Sequence, residues 1–100
     1  MARKRIPPIH PGVYLKEILD ELNLSQYRIA KDLGISTMRI SHIINCRRPV
    51  TGELALRLGR YFGQDPRYWM SLQTQYDLDI AEDTLSDRVA REIRPLTAQA

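Results

Sequence analysis

The sequence predicts an all-α fold: a compact bundle of five helices followed by a C-terminal extension. Apolar residues recur at helical spacing in five segments, and residues that favour helix N-caps precede four of them: Ser25, Ser36, Thr51 and Asp65. No stretch alternates polar and apolar residues long enough to predict a strand, although residues 78–80 could pair weakly at an edge. One hundred residues are enough for one domain with a single core.

The first two helices are predicted at Pro11–Leu22 and Gln26–Leu33. Pro11 suits a first turn because its missing N–H would have no partner there. Gly34 ends the second helix, since glycine enters the left-handed conformation without steric cost. Ala30 is small, so another helix can pack closely across the second one.

The third helix, Thr37–Ile44, is predicted to have two contrasting faces. Ile40, Ile43 and Ile44 form an apolar back, and at about 100° per residue the outward stripe contains Met38, Ser41, His42 and Asn45, with Thr37 and Arg39 on its flanks. Two short helices joined at a glycine turn are typical of a helix-turn-helix, which places its second helix in the DNA major groove. The solvated face of an ordinary bundle has the same periodicity. The small residue, the glycine and the two serine caps occur together, which favours DNA binding.

The last helices are predicted from caps and breakers. The fourth helix follows Thr51 and ends at Phe62, before Gly63, and the fifth is expected at Pro66–Tyr76. The pattern weakens after Asp77, and a separate short helix is expected at 86–93. The predicted divisions are a flexible basic arm at residues 1–8, a helix-turn-helix domain at 9–80, and an extension at 81–100 that ends in a loose tail.

Charge and composition restrict the classes of partner. Residues 1–50 contain nine Lys/Arg and four Asp/Glu, whereas residues 51–100 contain six and eight. The basic half includes the proposed reading helix, as phosphate binding requires. A single cysteine suits a reducing compartment, and neither a signal peptide nor a membrane span is visible. We therefore expect a cytoplasmic protein that does not contact membranes.

Six sequence motifs resemble those of HigA-type antitoxins of bacterial toxin–antitoxin modules, which have a phage-repressor-type, Xre-like helix-turn-helix. They are IHPG at 9–12, LSQYRIAKDLGIS at 24–36, RISHIIN at 39–45, RRPVT at 47–51, ALRLGRYFG at 55–63 and YWMSLQTQYDL at 68–78. The helix-turn-helix part is shared by many regulators, whereas the opening HPG and the closing W-x-x-L-Q-x-x-Y-D-L are more specific. The family usually has glycine after the asparagine that ends the third helix, but here the residue is Cys46. Either Asn45 takes the left-handed conformation itself, or the turn differs.

This resemblance implies a lambda-repressor-like fold, a homodimer and two functions. Such a protein neutralises a HigB-type toxin that cleaves messenger RNA, and it represses its own operon by binding double-stranded operator DNA. The alternatives are a stand-alone helix-turn-helix regulator without a toxin and a protein-interaction module that has lost DNA binding. The acidic residues at 77–83 could be a solvated face or could meet a basic toxin, and the rival toxin surface is the basic arm with the first helix.

The repressor pattern and side-chain chemistry together suggest residue roles. Candidates for base contacts are Thr37, Met38, Ser41 and His42, because hydroxyls can bond several bases and a methionine suits a thymine methyl. No arginine lies squarely on the outward stripe, so DNA shape is expected to supplement direct readout. Candidates for phosphate contacts are Gln26, Ser36, Arg39, Asn45, Arg47 and Arg48.

Other chemistry has little support in the sequence. His42 and Cys46 are four residues apart and could share a metal, but a structural zinc site needs four ligands and His10 is the only other histidine. A catalytic Cys–His pair would need a third group to orient the histidine, and the sequence indicates none. We therefore expect no enzyme activity, cofactor, metal or small-molecule substrate.

Overall fold

The computed structural model describes residues 7–97, and five α-helices make up most of that range. The helices are α1 at Pro11–Leu22, α2 at Gln26–Leu33, α3 at Thr37–Ile44, α4 at Gly52–Phe62 and α5 at Pro66–Glu92. There is no strand within the described residues, so the predicted all-α fold is confirmed. Residues 78–80, for which an edge strand was considered, are helical. Most of the predicted basic arm lies outside the described residues.

The predicted caps define the helix starts. Four side chains accept a hydrogen bond from a backbone N–H two or three residues further on, at 2.9–3.2 Å: Ser25, Ser36, Thr51 and Asp65. Gly34 and Gly63 follow α2 and α4 in the left-handed conformation, with φ of 74° and 70°. Ser25 and Gly34 therefore define the two ends of α2, and Thr51 and Gly63 those of α4. A defined end at Gly34 allows the tight turn between α2 and α3.

The core is enclosed by α1 packed against α3 and α5 and by α4 packed against α2 and α5. Trp69 on α5 is fully buried, and its indole N–H donates to the side-chain oxygen of Gln64 at 2.8 Å. The remaining apolar core residues come from every helix but α5, with Val50 from the loop before α4: Leu15, Leu19, Ile29, Ala30, Leu33, Ile40, Ile43, Ile44, Val50, Leu54, Ala55 and Leu58. The three isoleucines of α3 all belong to this core, so the opposite face of α3 must point outward.

The predicted end of α5 at Tyr76 is wrong, and so is the separate helix at 86–93. One helix of 27 residues runs from Pro66 to Glu92. Apolar residues continue at helical spacing beyond Tyr76, but they lie on the side of the helix opposite Trp69, where no other helix of residues 7–97 covers them. Side-chain bonds between residues four apart, such as Gln75 to Asp79 and Arg88 to Glu92, both at 2.9 Å, support this exposed half.

No helix within residues 7–97 combines the length and the apolar character needed to cross a membrane.

Candidate nucleic-acid interface

The start of α3 presents two of the predicted base-contacting side chains to solvent. Ser36 caps the helix by accepting from the backbone N–H of Arg39 at 3.0 Å. Thr37 and Met38 follow in the first turn, and both are exposed; 68% of Met38 is accessible. A methionine this exposed at a helix start has no packing role in the monomer. It is therefore free to contact a thymine methyl group.

The second turn of α3 is less accessible than the first. Ser41 and His42 are half-buried, and the side-chain N–H of Asn45 donates to the Ser41 hydroxyl at 3.2 Å. The Ser41 hydroxyl keeps its own proton to donate, so it can still reach a base acceptor. The structure brings all four predicted base contacts onto one helix face, and the two at the helix start are the most exposed.

Arg39 lies against the start of α4 and not in open solvent. Its guanidinium is 3.7 Å from a carboxylate oxygen of Glu53 and 3.5 Å from the hydroxyl of Thr51. The hydrogen bond from Arg57 and the charges of Arg57 and Arg39 lower the pKa of Glu53, so this carboxylate stays ionised. In the free protein Arg39 therefore links α3 to α4, and a phosphate contact would have to compete with Glu53.

The turn after α3 differs from a simple left-handed asparagine. Asn45 has φ −86° and ψ 12°, and Cys46 takes the left-handed conformation with φ 62°. The backbone N–H of Arg47 then donates to the carbonyl of His42 at 2.8 Å. The sequence left two alternatives open, and the second is correct: Cys46, not Asn45, takes the left-handed conformation. Arg47 and Arg48 follow it with exposed side chains.

The remaining phosphate candidates lie at the start of α2 and α3. Gln26 is the first residue of α2 and is half-buried, next to the Ser25 cap. Ser36 is exposed, and its oxygen is already engaged by the cap described above. Free backbone N–H groups at both helix starts add donors for an anion.

Sequence reasoning missed a polar junction beneath the α3–α4 loop, which we define as residues 45–51. His10 is the N-cap of α1: its Nδ1 accepts from the backbone N–H of Gly12 at 2.9 Å, and its ring packs edge-on against Tyr76 with centroids 5.0 Å apart. Gln73 accepts from the backbone N–H of Val50 at 2.7 Å. The sequence indicated that the HPG and Q-x-x-Y-D motifs are specific to the family, but only the fold shows that they contact each other, through His10 and Tyr76.

Burial controls the protonation of His10. The side chain is 5% exposed, and this burial lowers the pKa of His10, against smaller raising effects from a hydrogen bond to the backbone of Arg48 and from the charge of Asp77. The imidazole is therefore neutral near pH 7, which its role as a hydrogen-bond acceptor requires.

Within residues 7–97 no group of three or more His, Cys, Asp or Glu side chains could hold a metal ion. The thiol of Cys46 lies 3.8 Å from the carbonyl of Ile44, its hydrogen-bonding partner.

Comparison with known proteins identifies the family. A family model described as helix-turn-helix matches residues 15–69, which is more than half of the chain. The chain belongs to the helix-turn-helix family. Virulence-associated protein I of Dichelobacter nodosus is 44% identical over 82 residues, covering 81% of this chain and 76% of that protein.

Two solved structures of helix-turn-helix proteins are similar to this chain in architecture. An addiction module antidote protein of a HigA family from Coxiella burnetii is 38% identical, with a TM-score of 0.88 over 91% of this chain and 100% of that one. The antitoxin HigA of Pseudomonas aeruginosa, solved with the higBA promoter, is 36% identical, with a TM-score of 0.86 over 90% and 99%. These likenesses confirm the predicted HigA-type resemblance. Proteins of this helix-turn-helix antitoxin family are not enzymes, as the sequence predicted.

Proposed function

We propose that this HigA-type protein binds double-stranded operator DNA through α3 and thereby represses its own operon. The outward face of α3 carries this proposal, because it exposes Thr37 and Met38 next to the cationic loop that contains Arg47 and Arg48. The HigA of Pseudomonas aeruginosa was solved with the higBA promoter, which supports promoter binding by a protein of this fold. Operator binding would place the protein in the bacterial cytoplasm.

A binding titration can separate base contacts from phosphate contacts. We expect Arg47→Ala to weaken binding to every duplex and to reduce the slope of log K against log salt by about one, since one phosphate contact is lost. Thr37→Ala should instead change which base is preferred at one position, with the slope unchanged. The probes are a 30-base-pair duplex from upstream of the gene and a scrambled duplex of equal composition.

The matched control is Lys16→Ala. Lys16 is an exposed cation on α1, engaged with Asp20 at 3.0 Å, and it does not belong to the candidate interface. If Lys16→Ala reduced the salt slope as much as Arg47→Ala does, the binding face would be assigned wrongly. Wild-type protein that bound neither duplex would refute the DNA-binding function itself.

We further propose a homodimer joined through the second half of α5. Its exposed apolar face lines a groove of about 340 Å³ that includes Leu78, Ala81, Leu85 and Val89. Of the described residues, those at 77–87 include five acidic side chains and no basic one, whereas 88–94 include three arginines. An antiparallel pair of α5 helices would therefore place acidic segments beside basic ones and cover both apolar faces. Two-fold operators read by this motif require such a dimer.

The second part of the proposed function is neutralisation of a HigB-type, messenger-RNA-cleaving toxin. It rests on the HigA-type likeness, and it predicts that toxin binding uses a surface away from α3. A variant with Met38, Arg39 and His42 changed to alanine should lose operator binding yet still rescue growth when the toxin is co-expressed. A folded variant that fails to rescue would contradict separate surfaces. No toxin partner in a pull-down from the native host would favour the alternative, a stand-alone regulator.

A further inference from the structure

Two polar side chains are buried in the described part of the chain, and one of them hydrogen-bonds to the α3–α4 loop. They are His10, before α1, and Gln73, on α5, each 5% exposed. Both lie outside residues 15–69, the part that matches the helix-turn-helix family model. The loop that carries Arg47 and Arg48 is therefore held from outside the motif itself.

Gln73 fixes the end of the loop. Its side-chain oxygen accepts from the backbone N–H of Val50 at 2.7 Å, and its side-chain nitrogen donates to a carboxylate oxygen of Asp77 at 2.9 Å. The Val50 N–H only donates and the Asp77 carboxylate only accepts, so both partners select the same orientation of the Gln73 amide. Val50 is 2% exposed, and water cannot replace Gln73 as its partner without the loop opening.

His10 joins the start of α1 to the part of α5 that holds the loop. Its Nδ1 accepts from the backbone N–H of Gly12 at 2.9 Å, and its ring packs edge-on against Tyr76, three residues after Gln73. The helix that presents Gln73 to the loop is therefore itself held against the start of α1.

We propose that Gln73 is a positioning residue that holds the α3–α4 loop so that Arg47 and Arg48 meet the phosphate backbone of bound DNA. The Gln73 side chain does not contact DNA, because it is buried beneath the loop. Without it the two arginines keep their charge but lose a fixed position, and ordering the loop on the duplex then costs conformational entropy. This inference rests on the proposed DNA-binding function.

The first test needs no DNA. Cys46 is the only cysteine in the sequence and is exposed within the loop, so a nitroxide attached to it reports loop motion by electron paramagnetic resonance. We expect Gln73→Met to broaden the range of nitroxide motion relative to the wild type. The matched control is Gln64→Met, which removes the acceptor of the Trp69 indole but touches no part of the loop. Equal spectra for wild type and Gln73→Met would overturn the positioning role.

The second test links the loop to phosphate contacts, using the same pair of 30-base-pair duplexes. Gln73→Met should weaken binding to both duplexes about tenfold and reduce the salt slope by one to two units, without changing base preference. In the background of Arg47→Ala and Arg48→Ala, the same substitution should cost no further affinity. A full tenfold loss in that background, or a lower melting temperature with unchanged affinity and slope, would overturn the proposal.

A milder variant covers the case in which Gln73→Met does not fold. Asp77 is exposed, so Asp77→Leu should fold and should remove one of the two partners that hold the Gln73 amide. Asp77→Asn still offers an oxygen to Gln73 and should behave like the wild type. We expect Asp77→Leu to shift the nitroxide spectrum and salt slope in the same direction as Gln73→Met, but less. If Asp77→Leu and Asp77→Asn gave the same results, holding Gln73 more firmly would not hold the loop more firmly, which would contradict the positioning role. Wild-type protein that binds neither duplex refutes the proposed function, and the nitroxide result then still decides whether the loop is held.

Discussion

A single methyl group at Gly12 should push α1 away from α3. A Cβ built on Gly12 would lie 1.9 Å from the carbonyl oxygen of Ile43 and 2.9 Å from the carbonyl carbon. Both atoms belong to backbone near the end of the reading helix, so no side chain can rotate to make room. The two helices would have to separate by more than ~1 Å before the contact reached van der Waals distance.

The expected cost of Gly12→Ala follows from this contact. Overpacking a well-filled core costs about 1–3 kcal/mol, and a clash with rigid backbone belongs at the upper end. The shift would also strain the capping hydrogen bond from Gly12 to His10, which is worth about 1 kcal/mol. We therefore expect a loss of about 3 kcal/mol, and at ~4–8 °C per kcal/mol for a domain of this size the melting temperature should fall by roughly 12–24 °C.

The assay is unfolding by urea and by heat, followed by circular dichroism, with Gly52→Ala as the matched control. Gly52 is the first residue of α4, and a Cβ there meets nothing within 4 Å. Alanine at that position should leave the unfolding free energy unchanged or raise it by up to ~0.5 kcal/mol. If Gly12→Ala lay within ~0.5 kcal/mol of the wild type, the close approach of α1 to α3 would not be a determinant of stability, and the reasoning would fail.

Three further outcomes are expected. Cys46→Gly should raise the free energy of unfolding in urea by up to ~1 kcal/mol, because glycine adopts φ 62° without strain; a decrease would contradict this. The folded-state pKa of His10 lies below its ordinary value of 6.5, so its contribution to stability is complete above about pH 6.5 and is lost as the pH falls through the folded pKa. His10→Asn keeps a capping oxygen without titrating, and the acid-side slope of stability against pH should be shallower than in the wild type. Leu85→Lys should shift sedimentation toward the monomer, whereas Leu96→Lys, at a side chain that is 92% exposed, should not.

Much of the helical framework could be predicted because its signals are local. Ser25, Ser36 and Thr51 each cap the predicted helix, and α1 to α4 agree with expectation to within a residue. A cap needs only the hydroxyl and the N–H groups that follow it. The outward face of α3 was predictable for the same reason, since Ile40, Ile43 and Ile44 determine the buried side.

The remainder depends on contacts between distant parts of the chain. The pairing of Gln73 with Val50 joins residues 23 apart, and nothing in either neighbourhood indicates it. The length of α5 was mispredicted because its apolar stripe changes sides after Tyr76, so the two halves do not read as one core-facing helix. The engagement of Arg39 by Glu53 likewise needed the fold, because α4 had first to be placed beside α3. The assignment of base and phosphate contacts stays a prediction.

The continuity of α5 has a consequence for how this protein could diverge. At 1.5 Å per residue the helix is about 40 Å long, and it runs without a break from beneath the α3–α4 loop to the exposed apolar face. In a dimer joined at that face, moving the pairing by one helical turn would shift the protomers past each other by ~5.4 Å along α5 while the same apolar faces stayed paired. Substitutions far from the DNA would then retune half-site spacing while every base-contacting side chain stayed the same. Operator spacing and operator sequence would evolve as independent traits.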